Sequence, residues 1–98
     1  DDIERRLLAL DGIREAAALT VTRGGRQGIG VLLVLNEAVR QQHEQGKKAQ
    51  ELAWRRALRP WLEPVAVPRY WRIVDEIPVN SMNKRVTAQL QELFHEDP

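Results

Sequence analysis

The sequence contains no cysteine, and this and other absences exclude several classes of protein. Without cysteine there can be no disulfide, no thiolate metal site and no thiol nucleophile. No apolar run approaches the roughly 20 residues that a membrane-spanning helix requires, so we expect a cytoplasmic protein without a membrane span. An excess of charge of one sign is also missing, because 15 basic residues are balanced by 14 acidic ones. This balance argues against bulk binding of nucleic acid.

The first third of the chain predicts one helix and two strands. Apolar residues at helical spacing within 3–10 predict a helix with Asp2 as its N-cap and Gly12 as its stop. β-branched residues in 15–22 and the continuous apolar run 29–35 predict two strands. The glycine-rich turn between them predicts a hairpin, and the unbroken apolar run is typical of a central strand covered on both faces.

The rest of the chain adds a third strand and two helices. The polar segment 36–50 is predicted as loop or weak helix, and a clear helix follows over 49–62, with Pro60 shortening its last turn. Alternation over 70–75 predicts the third strand, and the final helix has Thr87 as its predicted N-cap. The order α-β-β-α-β-α defines a small two-layer α+β domain with about three strands and helices packed on its sheet.

Two short motifs suggest chemistry that the surrounding sequence does not support. Gly25 and Gly30 have the spacing of a phosphate-binding loop, but valine and leucine follow where that loop needs lysine and a hydroxyl residue. We therefore interpret the glycine cluster as a hairpin turn. Ser81 and Lys84 match the Ser-x-x-Lys nucleophile motif, but the partner motifs of serine β-lactamases are missing from this chain.

The two histidines, His43 and His95, lie in polar stretches, and neither has an obvious partner at i+3 or i+4. A metal ion requires ligands that converge from fixed positions. We therefore interpret both histidines as surface residues and expect no metal ion to be held by this chain.

Three arginines, Arg55, Arg56 and Arg59, form a basic stripe on the helix predicted over 49–62. A solvated face is the favoured interpretation, because glutamates lie close by at positions 51 and 63. The alternative is a stand-alone interaction or phosphate-binding module that uses these arginines. The opposite, apolar face of the same helix is predicted to carry Trp54, Ala57, Leu58 and Trp61.

Lys84 is one of three lysines in a chain with 12 arginines, and it lies between a strand that ends near Pro78 and the last helix. On this evidence alone it is interpreted as a solvated surface lysine. Its compact charge on a flexible stem would nevertheless suit contact with a phosphate or carboxylate.

The segment Pro68-Arg-Tyr-Trp-Arg-Ile-Val-Asp-Glu-Ile-Pro78, followed six residues later by Lys84 and then a helix, resembles the C-terminal domain of adenylate-forming ligases. Residues 2–18 are similar to the first helix of that domain and its entry into the first strand. The likeness runs in order over nearly the whole chain. The superfamily joins acyl- and aryl-CoA synthetases, peptide-synthetase adenylation domains and luciferases.

The resemblance implies that residues 1–98 form the mobile lid of an ATP-dependent acyl or aryl ligase. Such a lid closes over a large N-terminal domain, absent from this chain, that holds ATP, Mg²⁺ and the carboxylic acid. Lys84 would enter that site for the adenylation half-reaction, supported by the loop residues Pro78, Asn80, Ser81 and Asn83. A thioester with CoA or with the phosphopantetheine of an acyl carrier protein would then form. The chain alone is expected to be inactive.

Two departures from the family pattern accompany the resemblance. The family usually has glycine immediately before the lysine, whereas Asn83 occupies that position here. Asparagine is the next-best residue for a left-handed backbone, so we expect the loop to keep its shape. The hinge and all nucleotide-binding motifs are missing, and the sequence begins with Asp1 rather than methionine, which favours a piece of a larger protein.

Overall fold

The computed structural model describes residues 2–94, and it contains four α-helices and three strands within that range. A short 3₁₀ turn at Pro64–Ala66 precedes the last strand. The helices and strands are α1 (Asp2–Leu8), β1 (Ile13–Arg23), β2 (Arg26–Leu35), α2 (Glu37–Gln45), α3 (Lys47–Leu58), β3 (Tyr70–Ile73) and α4 (Thr87–Glu92). The predicted small α+β domain with a three-stranded sheet is thus confirmed.

The sheet is mixed, with the order β1-β2-β3. β1 and β2 form the predicted antiparallel hairpin, whose turn contains Gly24 and Gly25, both with positive φ. β3 pairs in parallel with β2, from Gly30 opposite Tyr70 to Leu33 opposite Ile73. β2 is therefore the central strand, which explains why its apolar run is continuous.

Helices pack on both faces of the sheet, so the domain has two apolar cores. On one face, α1 and α3 cover alternate residues of β2, and the buried side chains there include Leu7, Val31, Leu33, Trp54 and Leu58. On the other face, α4 and the segment after β3 pack against the intervening residues, and the buried side chains there include Leu32, Val34, Ile77, Leu90 and Phe94. This two-sided burial fixes the chain that leads into and out of the loop around Lys84.

The segment 36–50, predicted as loop or weak helix, forms α2 and the beginning of α3. The side chain of Asn36 caps α2 by accepting the backbone N–H of Val39 at 2.9 Å. Gly46 separates the two helices. The low apolar content of the segment gives a weak helical pattern. The cap at Asn36 and the break at Gly46 are the local signals that indicate two helices here.

Three details of the helices differ from the sequence prediction. α3 ends at Leu58, before Pro60, so Trp61 lies outside the helix and is 61% exposed, with the Arg6 guanidinium 4.0 Å from its ring centroid. Ala57 is exposed rather than part of the apolar face. Thr87 is the first residue of α4, and the N-cap is Val86, whose side chain cannot accept a hydrogen bond. No helix within residues 2–94 has the length and apolar character to cross a membrane.

Candidate active-site loop

The loop around Lys84, which we call the lysine loop and define as residues 77–86, starts from a fixed point in the core. Ile77 is 7% exposed and belongs to the apolar core on the α4 face of the sheet. Pro78 follows and is half-buried. After Pro78 the chain turns outward, and α4 returns to the same core through Leu90. The loop is thus anchored on both sides by buried residues.

Asn80 holds the tip of the lysine loop together. Its side-chain oxygen accepts the backbone N–H of Met82 at 2.9 Å and that of Lys84 at 3.0 Å. Its own backbone N–H donates to the carbonyl of Lys84 at 2.8 Å, and its carbonyl accepts the N–H of Asn83 at 2.9 Å. Four hydrogen bonds therefore close a turn of five residues around one side chain, an arrangement typical of asparagine in loops.

Asn83 supplies the backbone reversal that this closed turn requires. It has φ of 61°, and within residues 2–94 it is the one residue other than glycine with positive φ. The left-handed region costs most residues about 1–2 kcal/mol. After glycine, asparagine is among the residues that tolerate it best. Asn83 therefore adopts the backbone conformation for which the resemblance leads one to expect glycine at this position.

The loop presents Lys84 to solvent together with Ser81 and Met82. Within the described part of the chain, the Lys84 ammonium makes no hydrogen bond or ion pair, so its charge is available to an incoming group. The side chain of Met82 is 74% exposed. Ser81 lies on the same exposed turn rather than on a helix.

The residue after Lys84 ties the lysine loop to the outer edge of β1. One amino group of Arg85 donates to the carbonyl of Ala16 at 3.1 Å, and the other pairs with Glu4 at 3.1 Å. The second carboxylate oxygen of Glu4 accepts the N–H of Ala18 at 2.9 Å. Sequence reasoning missed this contact because its two charged residues are 81 positions apart and nothing in their local patterns connects them.

The basic stripe on α3 is only partly brought together. Arg55 and Arg59 lie on the same side of the helix as Lys48, and Arg55 also lines a surface groove of about 390 Å³ with Arg69. Arg56 points to another side of the helix, because it is 100° further round in the helical wheel. In the part of the chain that the structure describes, Arg55, Arg59 and Arg69 form no ion pair.

A half-buried carboxylate lies between this basic stripe and the third strand. Glu51 lines the grooves next to Arg55 and Arg72. Burial raises the pKa of the Glu51 carboxyl, while the nearby charges of Arg55 and Arg72 oppose this rise. The surface is therefore basic at its rim and not uniformly positive.

His43 is buried, which corrects its interpretation as a surface residue. Its side chain is 6% exposed and stacks on Trp54 with ring centroids 5.6 Å apart. Trp54 stacks in turn on Trp71 at 5.5 Å. Burial, assisted by Lys47, lowers the pKa of His43, while Glu44 opposes this. His95 lies outside the described residues.

The described residues contain no metal-ligand cluster, and their glycine pair does not form a phosphate-binding loop. Across residues 2–94, no group of three or more histidines, cysteines or carboxylates converges on a point that could hold a metal ion. Gly25 belongs to the hairpin turn and Gly30 to the middle of β2, so no helix N-terminus follows them as a phosphate-binding loop requires. The glycine cluster is therefore the hairpin turn that the sequence predicts.

Solved structures of ligases share this fold, although no family model and no curated protein matches the sequence. A benzoate CoA ligase from Burkholderia xenovorans LB400 superposes with a TM-score of 0.77 at 22% identity, covering 91% of this chain and 17% of that chain. ATP-bound MatB from Rhodopseudomonas palustris gives 0.74 at 22% identity, covering 96% and 17%. The amide bond synthetase McbA from Marinactinospora thermotolerans gives 0.74 at 22% identity, covering 94% and 17%.

These similarities confirm the sequence resemblance at the level of the fold. The chain has the fold of a domain-sized part of acyl-CoA and aryl-CoA ligases, and it spans about a sixth of the length of those proteins.

Proposed function

We propose that the chain is the C-terminal lid domain of an adenylate-forming acyl or aryl ligase, and that Lys84 acts in the adenylation half-reaction. The observation that carries this proposal is the lysine loop, in which a closed turn holds Lys84 exposed and, within residues 2–94, unpaired, a few residues after the buried Ile77. The shared fold and its coverage of about a sixth of known ligases support a domain of this kind.

The proposed reaction joins a carboxylate to ATP. A carboxylate oxygen attacks the α-phosphate, the acyl-adenylate forms and pyrophosphate leaves. Lys84 would place a positive charge between two anionic reactants, which lowers the cost of bringing them together and stabilises the charge that develops on the phosphoryl oxygens. A thiol of CoA or of a carrier protein then takes the acyl group, and AMP is released.

Residues 2–94 hold no converging carboxylates that could bind Mg²⁺. We therefore assign Mg²⁺, most contacts with ATP and the carboxylic acid site to a separate N-terminal domain. The contribution of this chain is one mobile charge and the loop that positions it. The lid alone should then be inactive.

The lysine loop does not determine which nucleophile accepts the acyl group in the second half-reaction. The same fold occurs in a benzoate CoA ligase and in an amide bond synthetase. We favour a pantetheine thiol as acceptor, and we treat an amine as the alternative to be tested with the same acyl-adenylate.

The proposal is tested by Lys84→Ala in the full-length protein that contains this chain. Adenylation is measured by pyrophosphate exchange, and thioester formation is measured separately from a supplied acyl-adenylate. We expect adenylation to fall by about 100-fold or more, and thioester formation to change little, because the charge acts only in the first step. Lys47→Ala removes another exposed lysine and serves as the matched control. Equal loss of both half-reactions would contradict the assigned role.

A second candidate is the interaction or phosphate-binding module that uses the basic stripe. The grouping of Arg55 and Arg59 with Arg69 around surface grooves favours it. It predicts binding of a polyglutamate peptide or an oligonucleotide that weakens steeply with salt. The double variant Arg55→Glu/Arg59→Glu should abolish that binding, whereas Arg56→Glu, on another side of the helix, should retain most of it.

A further inference from the structure

The lysine loop is joined to the sheet by a ring of polar groups at the outer edge of β1. The ring runs from the carbonyl of Ala16 to the Arg85 guanidinium, to the Glu4 carboxylate, and to the N–H of Ala18. Every contact is between 2.9 and 3.1 Å. Glu4 belongs to α1 and Arg85 to the loop, so the ring connects three separate parts of the fold.

The position of this ring matters because Arg85 is covalently next to Lys84. A guanidinium is a rigid, planar group, and here it is held by two acceptors rather than one. The carboxylate that it contacts is itself fixed by a backbone N–H of β1, and its side chain is only 25% exposed. An isolated surface ion pair would constrain the loop little. Here both Glu4 and Arg85 are also bonded to the backbone of β1, so the pair holds the loop against that strand.

The other side of Lys84 is restrained independently by Asn80, whose side chain accepts the Lys84 N–H. The turn at Asn80 sets the local shape of the loop, and its four hydrogen bonds all lie within residues 80–84. The ring at Glu4 supplies what the turn lacks, namely a fixed direction of Lys84 relative to the sheet. The turn at Asn80 therefore fixes the shape of the loop, and the ring at Glu4 fixes the orientation of the loop on the sheet.

We infer that Arg85 and Glu4 are positioning residues, which orient the loop so that Lys84 projects in the direction needed for adenylation. This inference rests on the proposed function of Lys84. Neither residue is expected to touch a substrate. An error of about 1 Å in the placement of a reacting group can cost about 100-fold in rate, so the ring should be visible in the kinetics.

The kinetic test uses the full-length protein with Arg85→Ala, Arg85→Lys and Glu4→Ala. Benzoate and fatty acids are the probe acids for pyrophosphate exchange. We expect Arg85→Ala and Glu4→Ala to lower kcat for adenylation by about 10- to 100-fold with little change in KM for ATP. Thioester formation from a supplied adenylate should change by less than about threefold, since Lys84 does not act there. Arg85→Lys should recover part of the rate, because a lysine can reach only one of the two acceptors.

Arg5→Ala is the matched control, because Arg5 pairs with Asp2 on the exposed side of α1 and has no contact with the lysine loop. Hydrogen exchange at the amide of Ala18, which donates to Glu4, adds a measurement of the ring that needs no substrate. Faster exchange in Arg85→Ala than in Arg5→Ala supports the inference. Exchange that is the same in both variants overturns it.

The two levels of the proposal fail in different ways. If Lys84→Ala lowers adenylation but Arg85→Ala behaves like Arg5→Ala, the positioning inference is wrong and the role of Lys84 stands. If Arg85→Ala lowers both half-reactions equally, the ring is only structural, and the inference is again wrong. If Lys84→Ala itself leaves adenylation intact, the proposed function is wrong.

Discussion

Asn80 and Lys84 are joined by two hydrogen bonds: the side-chain oxygen of Asn80 accepts the Lys84 N–H at 3.0 Å, and the Asn80 N–H donates to the Lys84 carbonyl at 2.8 Å. The backbone of the lysine is therefore fixed, while its side chain remains exposed. A fixed backbone with a free ammonium suits a residue that must reach a reactant outside its own domain. The turn lowers the number of conformations from which Lys84 must be selected.

Asn80→Ala should loosen the lysine loop without disturbing the core. It removes the acceptor of two backbone N–H groups, each bond worth about 1 kcal/mol in a folded protein. We expect adenylation by the full-length protein to fall about tenfold, since a loosely held lysine is less often in place. Pyrophosphate exchange measures this loss.

Asn36→Ala provides the matched control for Asn80→Ala. Asn36 also accepts a backbone N–H at 2.9 Å, but it caps α2 and not the lysine loop. Its loss should cost about 1 kcal/mol of unfolding free energy and leave adenylation unchanged. Equal activity of the two variants would show that the turn around Asn80 does not position Lys84.

Asn83 tests whether the left-handed backbone is the essential feature of the loop. Asn83→Gly should leave the unfolding free energy within about 0.5 kcal/mol, because glycine adopts φ of 61° without strain. Asn83→Ala should cost about 1 kcal/mol, because its Cβ disfavours this region. Urea denaturation of the three proteins measures the difference. If glycine were as damaging as alanine, the asparagine side chain and not the backbone would matter.

The parts of the fold that the sequence predicts are those determined by nearby residues. The hairpin of β1 and β2 follows from two β-branched segments around a glycine-rich turn. The central place of β2 follows from its unbroken apolar run. The lysine loop was located through a resemblance carried by Pro78, Lys84 and the helix after them. Local patterns are sufficient for the hairpin and the central strand, whereas the role of Lys84 stays a prediction.

The parts that could not be predicted depend on contacts between distant segments. His43 lies in a polar segment, and its burial depends on stacking against Trp54 of the next helix. The pairing of Glu4 with Arg85 arises only when the first helix and the last loop meet at one sheet edge. In the sequence, Glu4 and Arg85 cannot be distinguished from ordinary charged surface residues. Tertiary packing, rather than local preference, decides such positions.

Gly12 is expected to be the most sensitive of the turn glycines. Its φ is 85°, and a Cβ at this position would overlap the side chain of Val39 in α2. Gly12→Ala should therefore cost about 2–4 kcal/mol, which combines backbone strain with overpacking. Gly24 also has positive φ but faces open space, so Gly24→Ala should cost only about 1 kcal/mol. Similar losses in urea denaturation would refute close packing of α2 on Gly12.

The burial of His43 makes the stability of the domain depend on pH in a definite direction. Because the pKa of His43 is lowered from its usual value of 6.5, the unfolded chain takes up a proton at pH values where the folded chain does not. This uptake favours the unfolded state. The contribution of neutral His43 to the free energy of unfolding is therefore complete above pH 6.5. It is lost as the pH falls below that value toward the lower pKa of the folded state.

His43→Phe isolates this contribution, because phenylalanine keeps an aromatic ring against Trp54 but cannot bind a proton. All other titrating groups are the same in both proteins, including Glu44 and Lys47, which flank the histidine. We expect the wild-type protein to lose more unfolding free energy than the variant between neutral and mildly acidic pH, as measured by urea denaturation at each pH. Parallel losses in the two proteins would mean that His43 takes up its proton equally well in the folded state, which its burial against Trp54 opposes.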